Sequence, residues 1–194
     1  MSVLSSLTRP VIAAPMAGGP STPRLAAAVS NAGGLGFLAA GMLPPERMAA
    51  DVHQVRELTR RDFGVNLFLP DDEPVDPAAI ERYAQRLAPE ARRWDVRLGN
   101  PVGGDDQYPA KIAWLLANPV PVVSFVFGLP DADTVATLQA RGSEVWATVN
   151  HPDSAAAAAG RGVDAVVVQG TEAGAHRGGA RDSDDYGVLP LLRL

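Results

Sequence analysis

The chain has 194 residues, 46% hydrophobic and 20% charged, with a formal net charge of −5; that composition suits one soluble globular domain with a sizeable core. The acidic balance and the lack of a basic run argue against a nucleic-acid partner and against an anionic membrane surface. The absence of cysteine excludes disulfides, thiolate catalysis and Cys-based metal centres.

No leader-like pattern opens the chain, and the apolar run Val11-Ile12-Ala13-Ala14 is far too short to span a bilayer; a cytoplasmic location is the expectation. The basic pairs Arg60-Arg61 and Arg92-Arg93 fall on helix faces and read as solvated surface. Lys111 is the only lysine; it reads as compositional bias and carries no functional weight.

Residues 10–14 read as a buried strand, followed by the turn cluster Pro15-Met16-Ala17-Gly18-Gly19-Pro20. Ser21 or Thr22 is placed to cap a helix over 23–31, with proline in its first turn, where a missing N–H costs nothing. Gly33-Gly34 ends that helix and 35–39 forms a second short strand. A helix follows Pro44-Pro45 to about Arg60, then a third strand over 63–68 and a helix over 77–88. The stretch 89–107 is the least regular, with Gly99-Asn100-Pro101 and Gly103-Gly104 as breakers. A helix over 108–117 leads to strand 121–127, helix 131–141, strand 144–149, helix 153–160 and strand 165–169. A glycine-rich loop follows, and 188–194 begins another helix.

Six strands alternating with helices imply an α/β fold with a parallel sheet covered by helices. Apolar runs at 120–125 and 165–168 suit strands buried on both faces. A doubly wound sheet and a (β/α)8 barrel both satisfy the pattern. No Gly-x-Gly-x-x-Gly follows the first strand, which weakens a dinucleotide-binding reading.

In a parallel α/β fold the strand C-termini share one face, where ligands bind. Pro15-Met16, Asn66, Ser124, Asn150-His151 and Gln169 all fall at or near such ends. The densest segment is Gln169-Gly170-Thr171-Glu172-Ala173-Gly174-Ala175-His176-Arg177-Gly178-Gly179. Its strand delivers an amide that both donates and accepts hydrogen bonds, and its glycines let backbone approach a ligand. Histidine is the side chain whose ordinary pKa lies closest to neutrality, so one held at position 176 suits removal of a proton from carbon; a surface histidine in a loop is the plain alternative. His151-Pro152-Asp153 reads as a helix start, and His53 as part of a charged surface helix. No His/Asp/Glu spacing suggests a metal site.

This segment resembles the Gln-Gly-x-Glu-Ala-Gly-Gly-His-x-Gly signature of nitronate monooxygenases, formerly 2-nitropropane dioxygenases. Three further blocks agree in order: residues 10–19, Gly64-Val65-Asn66-Leu67-Phe68, and Ser124-Phe125-Val126-Phe127-Gly128. The resemblance covers essentially the whole chain. It implies a TIM (β/α)8-type barrel of which only about the first six βα units are present, residues 1–194 forming a single domain.

The resemblance also implies FMN across the barrel mouth. Pro15, Met16 and Ala17 would line the isoalloxazine. Asn66, Ser124 and Gln169 would supply polar contacts, and the Gly170 and Gly174 backbone would approach the cofactor. His176 would be catalytic, facing a small nitronate or nitroalkane that is oxidised with O2 to a carbonyl compound and nitrite, propionate 3-nitronate being one example. Electron transfer and oxygen chemistry would belong to the cofactor. A homodimer is among the expected assemblies. The alternatives are an FMN-dependent enoyl-acyl-carrier-protein reductase or NAD(P)H:quinone reductase of the same superfamily, and an inactive truncated barrel acting as a binding partner.

Two departures from the pattern bear on these expectations. Ala175 stands where the family usually has glycine, and a positive φ there would cost about 1 kcal/mol or more. Strands seven and eight, whose loops commonly bind a cofactor phosphate in barrels, are not represented. Weak FMN binding and a tendency to aggregate through open sheet edges are therefore expected of the 194-residue chain.

Overall fold

The computed structural model describes residues 2–70, 76–101, 104–174, 176–179 and 186–193. The chain divides into two compact units, residues 1–69 with 106–194 and residues 70–105. The larger unit holds a parallel sheet of five strands, β1 (Gly36–Ala39), β2 (Phe63–Phe68), β3 (Val122–Val126), β4 (Glu144–Val149) and β5 (Ala165–Val168). Their order in space is β1-β2-β3-β4-β5. A doubly wound sheet reverses direction at a switch point, whereas a barrel adds each strand beside its predecessor. The monotonic order therefore decides for barrel topology.

Five helices of this unit cover one side of the sheet. They are α2 (Pro23–Asn31), α3 (Pro45–Leu58), α5 (Tyr108–Ala117), α6 (Ala132–Ala140) and α7 (Pro152–Gly160). Ala26 of α2, Met48 and Val52 of α3, Leu115 of α5 and Leu138 of α6 pack with Leu38, Val65, Val123 and Val145 of the strands in one core. Because strand side chains alternate between faces, their neighbours Phe37, Val122 and Trp146 point the other way. There they form a second cluster with Leu35, closed by Val3 and Leu7. The short helix α1 (Val3–Ser6) is fastened under β4 by Glu144, which accepts from the Val3 amide at 2.6 Å and from Trp146 Nε1 at 3.0 Å. A Cβ at Gly64 would collide with the Phe37 ring, so the glycine of Gly-Val-Asn makes room for an aromatic on this second face.

The expected first strand is reduced to one parallel bridge, Ile12 with Leu35. The Leu35 amide donates to the Val11 carbonyl and the Ala13 amide to the Leu35 carbonyl, both at 3.0 Å. Pro10 and Pro15 bracket the run and lack donors, so pairing cannot extend. Val11 is 60% exposed and Ile12 41%, which corrects the buried-strand expectation. β5 is a second correction: it pairs only with β4 among the described residues, and Val166 and Val167 are each 40% exposed.

In the smaller unit, α4 spans Pro77–Arg93, longer than the 77–88 expected. Proline disfavours but does not forbid helix at the preceding residue, and the chain continues helical through Pro89. Asp76 caps the helix, accepting from the Ala78 amide at 2.9 Å. The remaining elements follow the sequence pattern closely, ending with the short α8 (Val188–Leu191).

Candidate functional site at the strand C-termini

Asn66 of β2 and Ser124 of β3 are direct register partners. Both are buried, and Asn66 Nδ2 donates to Ser124 Oγ at 2.9 Å and to the Ser124 carbonyl at 3.3 Å. They share a sheet face with Trp146, the next partner along the row. Above them lie two aromatic rings, Phe68 and Phe127, edge to face at 4.7 Å. Phe127 has φ +70°, an outlier for a bulky residue and a sign that its surroundings hold it there.

The holding contact is the His176 loop. The Phe127 amide donates to the Gly178 carbonyl at 2.7 Å. Gln169 then fastens the loop from the other side, Oε1 accepting from the Gly178 amide and Nε2 donating to the His176 carbonyl at 3.1 Å. The His176 ring stands 6.0 Å from the Phe127 ring, nearly perpendicular to it, with its side chain exposed. Glycine is required where the loop crosses the sheet: a Cβ at Gly178 would come within 2.6 Å of Thr148 Cγ2 and 2.9 Å of Val126 Cγ2.

The structure thus pairs Asn66 with Ser124 and Gln169 with the backbone of the His176 loop at the C-terminal ends of the strands, and gives Gln169 a definite task inside its own loop. Gly170 is buried, and a Cβ there would collide with Glu172 and the Val188 amide. The Glu172 carboxylate accepts from that amide at 3.0 and 3.1 Å, so this acid braces the loop. Among the described residues, none places a heavy atom within 4 Å of a Cβ added at Gly174. Pro15 and Ala17 are half-buried, and Met16 is 42% exposed in a turn closed by Ser21 Oγ, which accepts from the Met16 amide at 2.8 Å. Ala175 lies outside the described residues, as does Gly103.

His151 caps α7, its Nδ1 accepting from the Asp153 amide at 3.1 Å. His53 is exposed on α3, beside Trp114. The resolved titration shifts lie behind the site, in the helical layer. Burial raises the Tyr108 phenol above its ordinary value, Thr134 opposing and Asp131 adding to the effect. The Thr134 backbone amide, then its hydroxyl, holds Asp131 below the usual carboxylate range.

Sequence reasoning passed over two features. Phe68 enters the sequence pattern as a strand end and the last residue of the Gly-Val-Asn block, and its pairing with Phe127 depends on contacts between strands. Lys111 was set aside, yet it is fully buried. Its ammonium donates to the Ala40 carbonyl at 2.9 Å and pairs with Asp106 at 2.7 Å. The available signal was one charge in the otherwise apolar run Tyr-Pro-Ala-Lys-Ile-Ala-Trp-Leu-Leu-Ala.

The family description "Nitronate monooxygenase" matches residues 2–194. The chain belongs to the nitronate monooxygenase family. It is 41% identical over 198 residues to the nitronate monooxygenase of Pseudomonas aeruginosa, covering 98% of this chain and 56% of the relative. It is 39% identical over 201 residues to that of Paraburkholderia phytofirmans, covering 98% and 54%. The chain therefore spans about half the length of these curated relatives.

Among solved structures, nitroalkane oxidase from Streptomyces ansochromogenes aligns with a TM-score of 0.93 and 47% identity, over 98% of this chain and 56% of that one. FabK from Thermotoga maritima is more distant, with a TM-score of 0.64 and 27% identity over 91% and 45%. Among the described residues, no helix is long and apolar enough to cross a membrane.

Proposed function

We propose that residues 1–194 are the N-terminal portion of a flavin-dependent nitronate monooxygenase that uses FMN, with His176 as its catalytic residue. The observation that carries this reading is the fastening of the His176 loop across the end of β3, by Gln169 on one side and Phe127 on the other. A histidine in an arbitrary loop has no need of two such restraints.

The residues at this face suit a planar heteroaromatic cofactor. Asn66 and Ser124 form a buried amide–hydroxyl pair of the kind that meets a polar ring edge. Phe68 and Phe127 offer apolar surface beside it, and Met16 a polarisable thioether in the turn after the bridging segment. Asn66, Ser124, Met16 and the open Gly174 backbone are the groups that would hold FMN, with Pro15, Ala17, Gln169 and Gly170 shaping the surrounding turns. When bound, FMN supplies electron acceptance and the reaction with O2.

The chain's own part is binding and proton handling. A nitronate is already an anion, so His176 orients it. A neutral nitroalkane needs an α-proton removed, and a ring nitrogen of His176 takes that proton. The Phe127 ring, backed by Phe68, lies beside one side of the imidazole. The resemblance to a nitroalkane oxidase at 47% identity favours both substrate forms. On this reading the chain acts as one domain of a cytoplasmic enzyme, with a homodimer as its expected assembly.

The test is nitrite release from propionate 3-nitronate and from a primary nitroalkane in air, by the FMN-supplemented chain. His176→Asn is expected to lower turnover by roughly 10²–10⁴ without changing the melting temperature. NADH- or NADPH-dependent reduction of a quinone or enoyl thioester, with no nitrite formed, would replace this reading with a reductase.

A further inference from the structure

We infer that the buried Lys111–Asp106 pair is a positioning device that sets the Phe68–Phe127–His176 array; the inference rests on the reading of His176 as the catalytic group. Lys111 is the chain's only lysine and is fully buried in α5. Its Nζ donates to the Ala40 carbonyl at 2.9 Å and contacts Asp106 Oδ2 at 2.7 Å. The other oxygen of Asp106 accepts from the Met42 amide at 2.9 Å. One ion pair therefore grips both sides of Gly41, in the turn that leaves β1 at the candidate-site face.

From that turn, contacts run to His176 without a break. The Ala40 amide donates to the Asn66 carbonyl at 2.9 Å, tying the turn to the Asn66–Ser124 pair. Gly41 is buried, and a Cβ there would collide with the Phe68 ring, so the path of the turn dictates where that ring lies. Phe68 packs on Phe127 at 4.7 Å, and Phe127 on His176 at 6.0 Å.

Two arguments make positioning the purpose. An apolar side chain at 111 would fill this layer as well as lysine does, since a buried ion pair seldom outperforms a well-packed hydrophobic substitute in stability. What the pair adds is a fixed direction for the backbone. Second, Met42, Asp106 and Gln107 all have positive φ, at 61°, 54° and 53°. Non-glycine residues in that region persist where the surroundings over-determine them, and three gather around this one contact.

The test compares the wild-type 194-residue chain with Lys111→Arg and with the double variant K111M/D106N, which leaves no buried charge unpaired and lets position 106 still accept from Met42. Spectra of chains carrying 13C-methyl methionine and 13C-labelled histidine are recorded without flavin. The double variant is expected to shift the Met42 and His176 resonances while Met48, on the buried face of α3, stays in place. Lys111→Arg is expected to restore them in part. FMN-supplemented turnover is expected to fall at least about tenfold, as for small misplacements of reacting groups, with KM changed less than kcat.

Unmoved Met42 and His176 signals would overturn the inference. So would an equal shift of Met48, which would make Lys111 a general core support. Shifted resonances in a chain that releases no nitrite would uphold the positioning and sink the proposed activity instead.

Discussion

The amide of Phe127 donates to the carbonyl of Gly178 at 2.7 Å, and that bond joins the end of β3 to the loop bearing His176. It explains why a bulky residue tolerates φ +70°. Turning the peptide into the left-handed region aims its N–H along the sheet end rather than into a strand ladder. The same turn carries the ring between Phe68 and His176. Backbone strain and side-chain placement thus have one cause.

Phe127→Asn separates the two. Asparagine tolerates positive φ better than phenylalanine, so the Gly178 bond survives while the ring is lost. Turnover is expected to fall by about tenfold or more from loss of orientation. Phe127→Leu keeps apolar bulk on the same strained backbone but loses the ring contacts with Phe68 and His176, and should lower both turnover and melting temperature. Equal turnover in the wild type and both variants would remove Phe127 from any positioning role.

Gly64→Ala tests the second face of the sheet. The new methyl would enter the space of the Phe37 ring, which packs on Trp146 at 5.8 Å between ring centroids. Overpacking of this kind typically costs about 1–3 kcal/mol. Urea unfolding should show that loss, and Gly64→Ala with Phe37→Leu should recover part of it. A variant as stable as wild type would mean the ring has room to withdraw.

The two resolved titration shifts predict opposite pH sensitivities. Asp131 is held below its ordinary 3.8 by the Thr134 amide and hydroxyl. A depressed folded-state pKa gives stability that is present above the unfolded value and lost as pH falls through the folded one. Tyr108 is raised above its ordinary 10.0, chiefly by burial. Its contribution is present below that value and lost as pH rises through the folded-state pKa. Asp131→Ala should cost about 0.5–2 kcal/mol at neutral pH by removing the α6 cap, and should lessen the decline of stability in acid. Tyr108→Phe should weaken the decline above about pH 10. Among the described residues its buried hydroxyl faces Thr134 without a hydrogen bond of good geometry, so the change should cost little at neutrality. Melting temperatures across pH 2.5–11, roughly the span of these two groups, would check both.

Periodicity made the fold class legible because it depends on local alternation: most helices and strands lie within a residue or two of the pattern. Strand order lies beyond periodicity, since sequence alternation is the same for a barrel and a doubly wound sheet. The four motif blocks supplied what periodicity lacked. At the site, Asn66, Ser124 and Gln169 were legible from their positions at or near strand ends, His176 from the glycine-rich motif that carries it, and His151 as a cap. Lys111 was not, because its meaning depends on Asp106 and on a turn 71 residues earlier in the chain. Long-range pairing of single side chains leaves no periodic trace.

The edge of β5 carries the last prediction. Val166 and Val167 are each 40% exposed, and Leu189 and Leu192 at α8 are 63% and 65% exposed. Among the described residues β5 pairs only with β4, and a parallel edge bearing apolar side chains is a template for intermolecular pairing. The 194-residue chain should therefore self-associate in a concentration-dependent way, seen as a rising weight-average mass in light scattering. Val167→Lys places a charge on that edge strand and should lower the association by about tenfold or more, at about 1.4 kcal/mol per factor of ten. Because Val167 lies two residues before Gln169, the test should be paired with Leu192→Lys, away from the loop. Monodisperse behaviour of the unmodified chain at high concentration would show that the edge is already protected. Association unchanged by Val167→Lys but abolished by Leu192→Lys would move the contact from the strand edge to α8.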